Sequence, residues 1–145
     1  MKILAISDVP SKLLWDESVR KRLEGIDLIL SCGDLPKKYL EYLTNFTTVP
    51  ILYVHGNHDG SYKESEPGGC ICVDDAVYVW KGLRIMGLGG CNRYNRDDTF
   101  QYTEAEMRRR ARKLWLPAPR GGGGGAPPST TAPTRPTRGF RYSTI

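Results

Sequence analysis

Three short apolar runs set the rhythm of the N-terminal part: KILAIS (2–7), DLILSC (27–32) and PILYVHG (50–56). Each is rich in Ile, Leu or Val without strict apolar–polar alternation, as in strands covered on both faces. Between them the period changes. Trp15, Val19 and Leu23 recur every four residues over 14–24, with Gly25 as a stop. Over 36–46, Pro36 opens the segment and Tyr39, Leu40, Leu43 and Phe46 line one face. Strand, helix, strand, helix, strand at this spacing predicts a βαβαβ unit with parallel strands. Beyond residue 60, CICV, VYVWKG and LRIMGLGG predict short strands in a hairpin or meander, with Gly82 at a turn. TEAEMRRRARKLW (103–115) predicts a helix. Thr103 and Glu106 form its capping box, Met107, Ala111 and Leu114 share a face, and the arginine run reads as a solvated face.

From Leu116 the pattern stops. Residues 116–145 hold six of the ten prolines and five consecutive glycines, too little apolar surface to offset the entropy of ordering the segment. The expected organisation is therefore a domain over 1–115 and a disordered tail over 116–145. The tail also explains the charge. Of the net +5, its four arginines account for +4, leaving 17 basic against 16 acidic residues in 1–115. A near-neutral domain does not present a nucleic-acid-binding face, so nucleic acid is not expected as a partner. Cys32, Cys70, Cys72 and Cys91 lack Cys-x-x-Cys spacing and read as buried free thiols. The apolar run before Asp8 is too short for a signal peptide, and no stretch reaches membrane-spanning length. The expectation is a cytoplasmic protein with no membrane partner.

Each of the three parallel strands runs into polar residues: Ser7-Asp8, Gly33-Asp34 and Gly56-Asn57-His58-Asp59. In an open α/β sheet, ligands bind at the carboxyl ends of parallel strands, where such loops converge. Two carboxylates and a side-chain carbonyl are hard oxygen ligands suited to Mg, Mn or Fe. One Asp after a strand is ordinary turn chemistry. Three such ends in register are far less expected by accident and point to a site.

These motifs, SD at 7–8, GDL at 33–35 and GNHD at 56–59, with GLGG at 87–90, resemble the calcineurin-like metallophosphoesterase family over roughly residues 1–115. The resemblance implies an α/β fold, a β-sandwich flanked by helices. It implies divalent metal ions (Mn, Fe, Zn or Mg), two of them in the complete site. It also implies attack by a metal-bound hydroxide on a phosphomonoester or phosphodiester substrate. Carried over by motif, Asp8 ligates the first metal, Asp34 bridges, and Asn57 ligates the second. His58 serves as general acid or charge stabiliser at the leaving oxygen, oriented by Asp59. His55 matches no family ligand and reads as a strand-end residue. The sequence also departs from the family. Pro10 stands where the first motif has a histidine, and no histidine follows His58 to supply the family's later ligands. The domain therefore reads as truncated, with impaired activity. The alternative is a non-catalytic remnant that binds a protein partner through a sheet edge or the basic helix. A third reading, a phosphate-binding segment at GLGGCN (87–92), lacks the Lys-Ser/Thr of a P-loop.

Overall fold

In a computed structural model of the chain, residues 1–95 and 99–115 are described. The expected tail, 116–145, lies outside the described residues. Four parallel strands, β1 (Ile3–Ile6), β2 (Leu28–Ser31), β3 (Ile51–Tyr53) and β4 (Ile71–Cys72), form one sheet in that order. Helices α1 (Val19–Arg22) and α2 (Lys37–Thr44) make the crossovers between the first three. The hairpin β5 (Val77–Trp80) and β6 (Leu83–Met86) follows, then the parallel pair β7 (Cys91–Asn92) and β8 (Gln101–Tyr102), then α3 (Glu104–Trp115).

The sheet is covered on both faces, which is why its strands read as continuous apolar runs. Ile29, Ile51 and Tyr53 face the helices and pack with Leu14, Val19, Leu23, Tyr39, Leu40 and Leu43. Leu28, Leu52 and Val73 face the other way, against Tyr78, Trp80 and Ile85 of the hairpin. The hairpin does not reach β1. Leu4 and Ile6 pack on the helix side, whereas Ile3 stays 40% exposed and Ala5 is exposed, on a strand that ends the sheet.

Local chemistry explains most boundaries. Lys81 (φ 46°) and Gly82 (φ 81°) both take positive φ in the two-residue turn between β5 and β6, a requirement of the type I′ hairpin turn. The turn is tied to the foot of β2 by Trp80 Nε1–H donating to Asp27 O (3.1 Å) and by Lys81 Nζ on Asp27 Oδ1 (2.6 Å). In α3 the capping box is formed, with Thr103 N on Glu106 Oε2 (2.7 Å) and Glu106 N on Thr103 Oγ1 (3.3 Å).

Several expectations need correction. The helix expected over 14–24 is a 3₁₀ turn at Lys12–Leu14 followed by the single turn of α1. Asp16 Oδ1 takes the Ser18 amide (2.7 Å) and hydroxyl (2.6 Å), a local bond that competes with helix formation. CICV supplies β4, a fourth parallel strand paired to β3, rather than part of a meander. Residues 54–70 provide the crossover length that a parallel pair requires. On α3 the partly buried face carries Met107, Arg110 and Leu114, while Ala111 is exposed. The four cysteines are free, as expected, but not buried: Cys32 is exposed and Cys70, Cys72 and Cys91 are only partly covered. Burial pushes the Cys70 thiol up to about 12. No helix among the described residues is long and apolar enough to cross a membrane.

Candidate metal centre

The carboxyl ends of β1, β2 and β3 nest into one another. Asp8 takes a left-handed backbone (φ 60°) and donates its N–H to Gly33 O at 3.1 Å. Gly33 has φ 97°, and a Cβ there would lie 2.6 Å from Gly56 N. Gly56 is required for space rather than for φ: its Cβ would lie 2.2 Å from Asp34 Oδ1. The Asp34 carboxylate therefore rests on the Gly56 backbone, where Oδ1 accepts the His58 N–H at 2.8 Å. Asp34 itself has φ 58°.

Asp59 ties the second motif to the third. Its carboxylate, 3% exposed, accepts the Gly56 N–H (2.8 Å) and the Asp34 N–H (2.9 Å) on Oδ2. Burial pushes its pKa above the ordinary 3.8 despite the lowering by these two amides. Among the described residues no hydrogen bond joins Asp59 to the His58 ring, so what it orients is the loop backbone. Asp8, Asp34, His58 and Asp59 line one pocket of about 250 Å³, with Pro10 and Tyr62 among its walls. Asn57 does not line it. Its amide turns outward, with Nδ2–H donating to Tyr94 Oη at 3.0 Å.

The donor set fits a hard divalent cation in kind. Asp8 and Asp34 face a common pocket, and among the described residues neither makes an ion pair. Carboxylates with no basic partner at one pocket suit a cation in kind. In number the set is small. Among the described residues no three His, Cys, Asp or Glu side chains converge on one point.

His55 is more than the residue at a strand end. Its Nδ1 lies 2.8 Å from Asp74 Oδ2, and its ring stacks on Phe100 with centroids 4.2 Å apart. Asp74 also accepts the Gly89 N–H (2.6 Å) and pairs with Arg110 Nη2 (3.1 Å). Arg110, 12% exposed, further bonds Asp75 (2.8 Å) and Gly89 O (2.8 Å) and lies over the Tyr102 ring. One arginine of the expected solvated run is thus the bolt that fastens α3 to the base of the β3 loop. Burial would raise the Asp74 carboxyl, but the His55 and Gly89 bonds outweigh it and hold it below 3.8.

The glycines of 87–90 serve this packing and do not cradle an anion. A Cβ at Gly87 would lie 2.0 Å from Val73 O, and one at Gly89 would lie 2.5 Å from His55 O. The amides of Gly87, Gly89, Gly90 and Cys91 donate to Ala76 O, Asp74 Oδ1, His55 O and Phe100 O respectively. That overturns the phosphate-loop reading of GLGGCN.

Sequence reasoning missed Asp74, Arg110, Tyr94 and Gln101. A signal existed for the first, since β4 also runs into an acid, as β1 and β2 do. For Arg110 the signal is its placement between Met107 and Leu114 on one helical face.

The family model of the calcineurin-like phosphoesterase superfamily domain matches residues 1–115. The chain belongs to that superfamily. Its class is accordingly that of the metallophosphoesterases, hydrolases that act on phosphoesters and generally use divalent metals. A comparison with curated proteins gave no match.

Proposed function

We propose that this chain hydrolyses a phosphomonoester or phosphodiester with a divalent metal held by Asp8, Asp34 and Asn57. The observation that carries the reading is the convergence of Asp8, Asp34 and His58 on one pocket at the carboxyl ends of adjacent parallel strands. Asp8 would hold the first ion, Asp34 would bridge to a second, and Asn57, which here bonds Tyr94 and does not line the pocket, would have to turn its carbonyl inward to hold that second ion. When bound, the metal supplies an acidified water as nucleophile and positive charge for the phosphoryl oxygens. The chain's own residues do the rest. Asp59 fixes the Gly56 and Asp34 amides and so keeps the two loops in register. His58, exposed at the pocket, delivers a proton to the leaving oxygen. With three ligands of its own and Pro10 in place of a fourth, the chain is expected to turn over slowly.

Hydrolysis of an aryl and an alkyl phosphate, with Mn²⁺ and with EDTA, tests this. His58→Ala should slow the alkyl ester by roughly 10²-fold or more, and the aryl ester far less, because its leaving group needs no proton. Asp34→Asn should abolish the Mn²⁺-dependent rate. Turnover indifferent to both EDTA and Asp34→Asn would refute the reading. A second reading, a non-catalytic module that binds a protein, is favoured by the open edge of β1 with Ile3 and Ala5 exposed. Partner binding that survives EDTA, without metal-dependent turnover, would select it.

A further inference from the structure

We propose that the pocket takes the phosphoester of an uncharged, apolar alcohol, whose carbon atoms lie against Pro10, Leu35, Pro36 and Tyr62; the inference deepens the phosphoesterase reading and rests on it. All four residues line the pocket that Asp8, Asp34 and His58 share. Its volume is about 250 Å³, below the roughly 300–1,000 Å³ usual for drug-sized ligands. With the phosphoryl group at the aspartates and the leaving oxygen at His58, the first atoms of the alcohol must therefore meet the rest of the lining. Pro10, half-buried, and Pro36, exposed, give that part its accessible surface, and the buried Leu35 and Tyr62 back it.

This wall is held in place by the fold. Tyr62 Oη donates to Leu35 O (2.5 Å), which ties the segment after β3 to the loop after β2. Pro36 O accepts the Tyr39 N–H (2.9 Å), and Tyr39 Oη accepts the N–H of Ser11 (3.3 Å), beside Pro10. The two proline rings have no side-chain rotamers to lose, so an apolar group docks on them at little ordering cost. Charge points the same way. Among the described residues no lysine or arginine lines the pocket. The lysines that directly follow Pro36 and Tyr62 are engaged elsewhere, Lys37 Nζ on Ser65 Oγ (2.5 Å) and Lys63 Nζ over the Phe100 ring (5.2 Å). A second anionic group on the alcohol would thus meet carboxylates and no cation of the lining. A hydroxyl-rich alcohol would give up water against this wall for few partners, since the Tyr62 hydroxyl is already committed to Leu35 O.

The test uses the full chain with Mn²⁺ and three phosphonates that cannot be hydrolysed: methylphosphonate, benzylphosphonate and a dihydroxybutylphosphonate. Calorimetry at two temperatures reads their binding, and electron paramagnetic resonance reads free Mn²⁺. Benzylphosphonate should bind about tenfold tighter than methylphosphonate, as expected for partial burial of a ring, and with a more negative heat-capacity change. The dihydroxybutyl ligand, with a chain of similar length but polar, should gain less than about twofold over methylphosphonate. Pro10→Ala and Pro36→Ala should each reduce the benzyl advantage severalfold, with the affinities for methylphosphonate and Mn²⁺ unchanged. The two prolines stand on separate loops, so a folding defect in one variant, seen as lost Mn²⁺ binding, leaves the other to decide. Wild type that binds Mn²⁺ but shows no preference for the benzyl ligand, or prefers the dihydroxybutyl one, overturns the inference and leaves the phosphoesterase reading intact. A benzyl advantage that survives in both proline variants overturns it as well, since the ring would then lie elsewhere. Wild type that binds neither Mn²⁺ nor any phosphonate overturns both.

Discussion

Asp8 and Asp34 hold left-handed backbone at φ 60° and 58°. For L-residues that region costs roughly 1–2 kcal/mol, with Asp among the more tolerant. The two positions differ in what compensates the strain. The Asp34 carboxylate accepts the His58 N–H, whereas the Asp8 side chain takes no hydrogen bond among the described residues. The left-handed backbone of Asp8 is thus not offset by a side-chain hydrogen bond among the described residues, which agrees with the ligand role proposed for it. Comparing Asp8→Gly with Asp8→Ala separates the two effects, because both lose the carboxylate but only glycine relieves the backbone. Urea denaturation should find the glycine variant more stable than the alanine variant by about 1 kcal/mol. Their Mn²⁺ affinities should be equally reduced. Equal stability of the two variants would show that φ at this position is not a source of strain.

At the scale of elements, α3 is fastened less by apolar burial than by Arg110, since Met107 and Leu114 are only partly buried. Its anchor, Asp74, lies just past β4 and joins three segments: the β3 end at His55, the glycine-rich segment at Gly89, and α3. Removing one partner of a buried ion pair costs about 3 kcal/mol, because the other charge is left behind, so Asp74→Asn should lower the melting temperature at neutral pH. The sign of the pH dependence follows from the depressed Asp74 carboxyl. A carboxyl lowered on folding contributes stability that is present above its unfolded value, 3.8, and lost as pH falls through the folded value. The gap in melting temperature between wild type and Asp74→Asn should therefore hold at pH 5–7 and close below about pH 4. A gap that stays constant to pH 2 would show that the charge is not what stabilises. This network also marks the limit of what the sequence discloses. The apolar runs, the capping box, the Gly82 turn and the strand-end order Asp8, Gly33-Asp34, Gly56-Asn57-His58-Asp59 are local patterns, and each can be read in a short window. The placement of CICV beside β3 is not local, since a short apolar run does not encode its partner. Nor is the Asp74–Arg110 pair, separated by 36 residues, with an arginine that follows two others in sequence. Whether the Asn57 amide faces the pocket or Tyr94 is a rotamer choice invisible to pattern.

For the whole molecule, the helix layer and the hairpin layer hold the sheet rigid from both sides, and the strand-end loops lock together through Gly33, Gly56 and Asp59. The pocket is thus formed by the fold before any ion arrives, with both carboxylates on its wall. An ion that binds the native state and not the unfolded chain must stabilise the whole domain, by about 2.7 kcal/mol at a free concentration of 100 times its Kd. For a domain of this size that is on the order of 10 °C in melting temperature. Thermal unfolding with and without Mn²⁺ should show this shift in wild type and lose most of it in Asp34→Asn at the same concentration. Asn57→Ala should fall between the two, because Asp34 would bridge both ions and Asn57 would serve one. Without metal, Asp34→Asn should melt no lower than wild type. Its amide oxygen still accepts the His58 N–H, so the bond that holds the loop is kept. That last comparison guards the first, since a variant that simply unfolds would lose the metal shift for the wrong reason. An equal Mn²⁺ shift in wild type and Asp34→Asn would place the ion away from these strand ends.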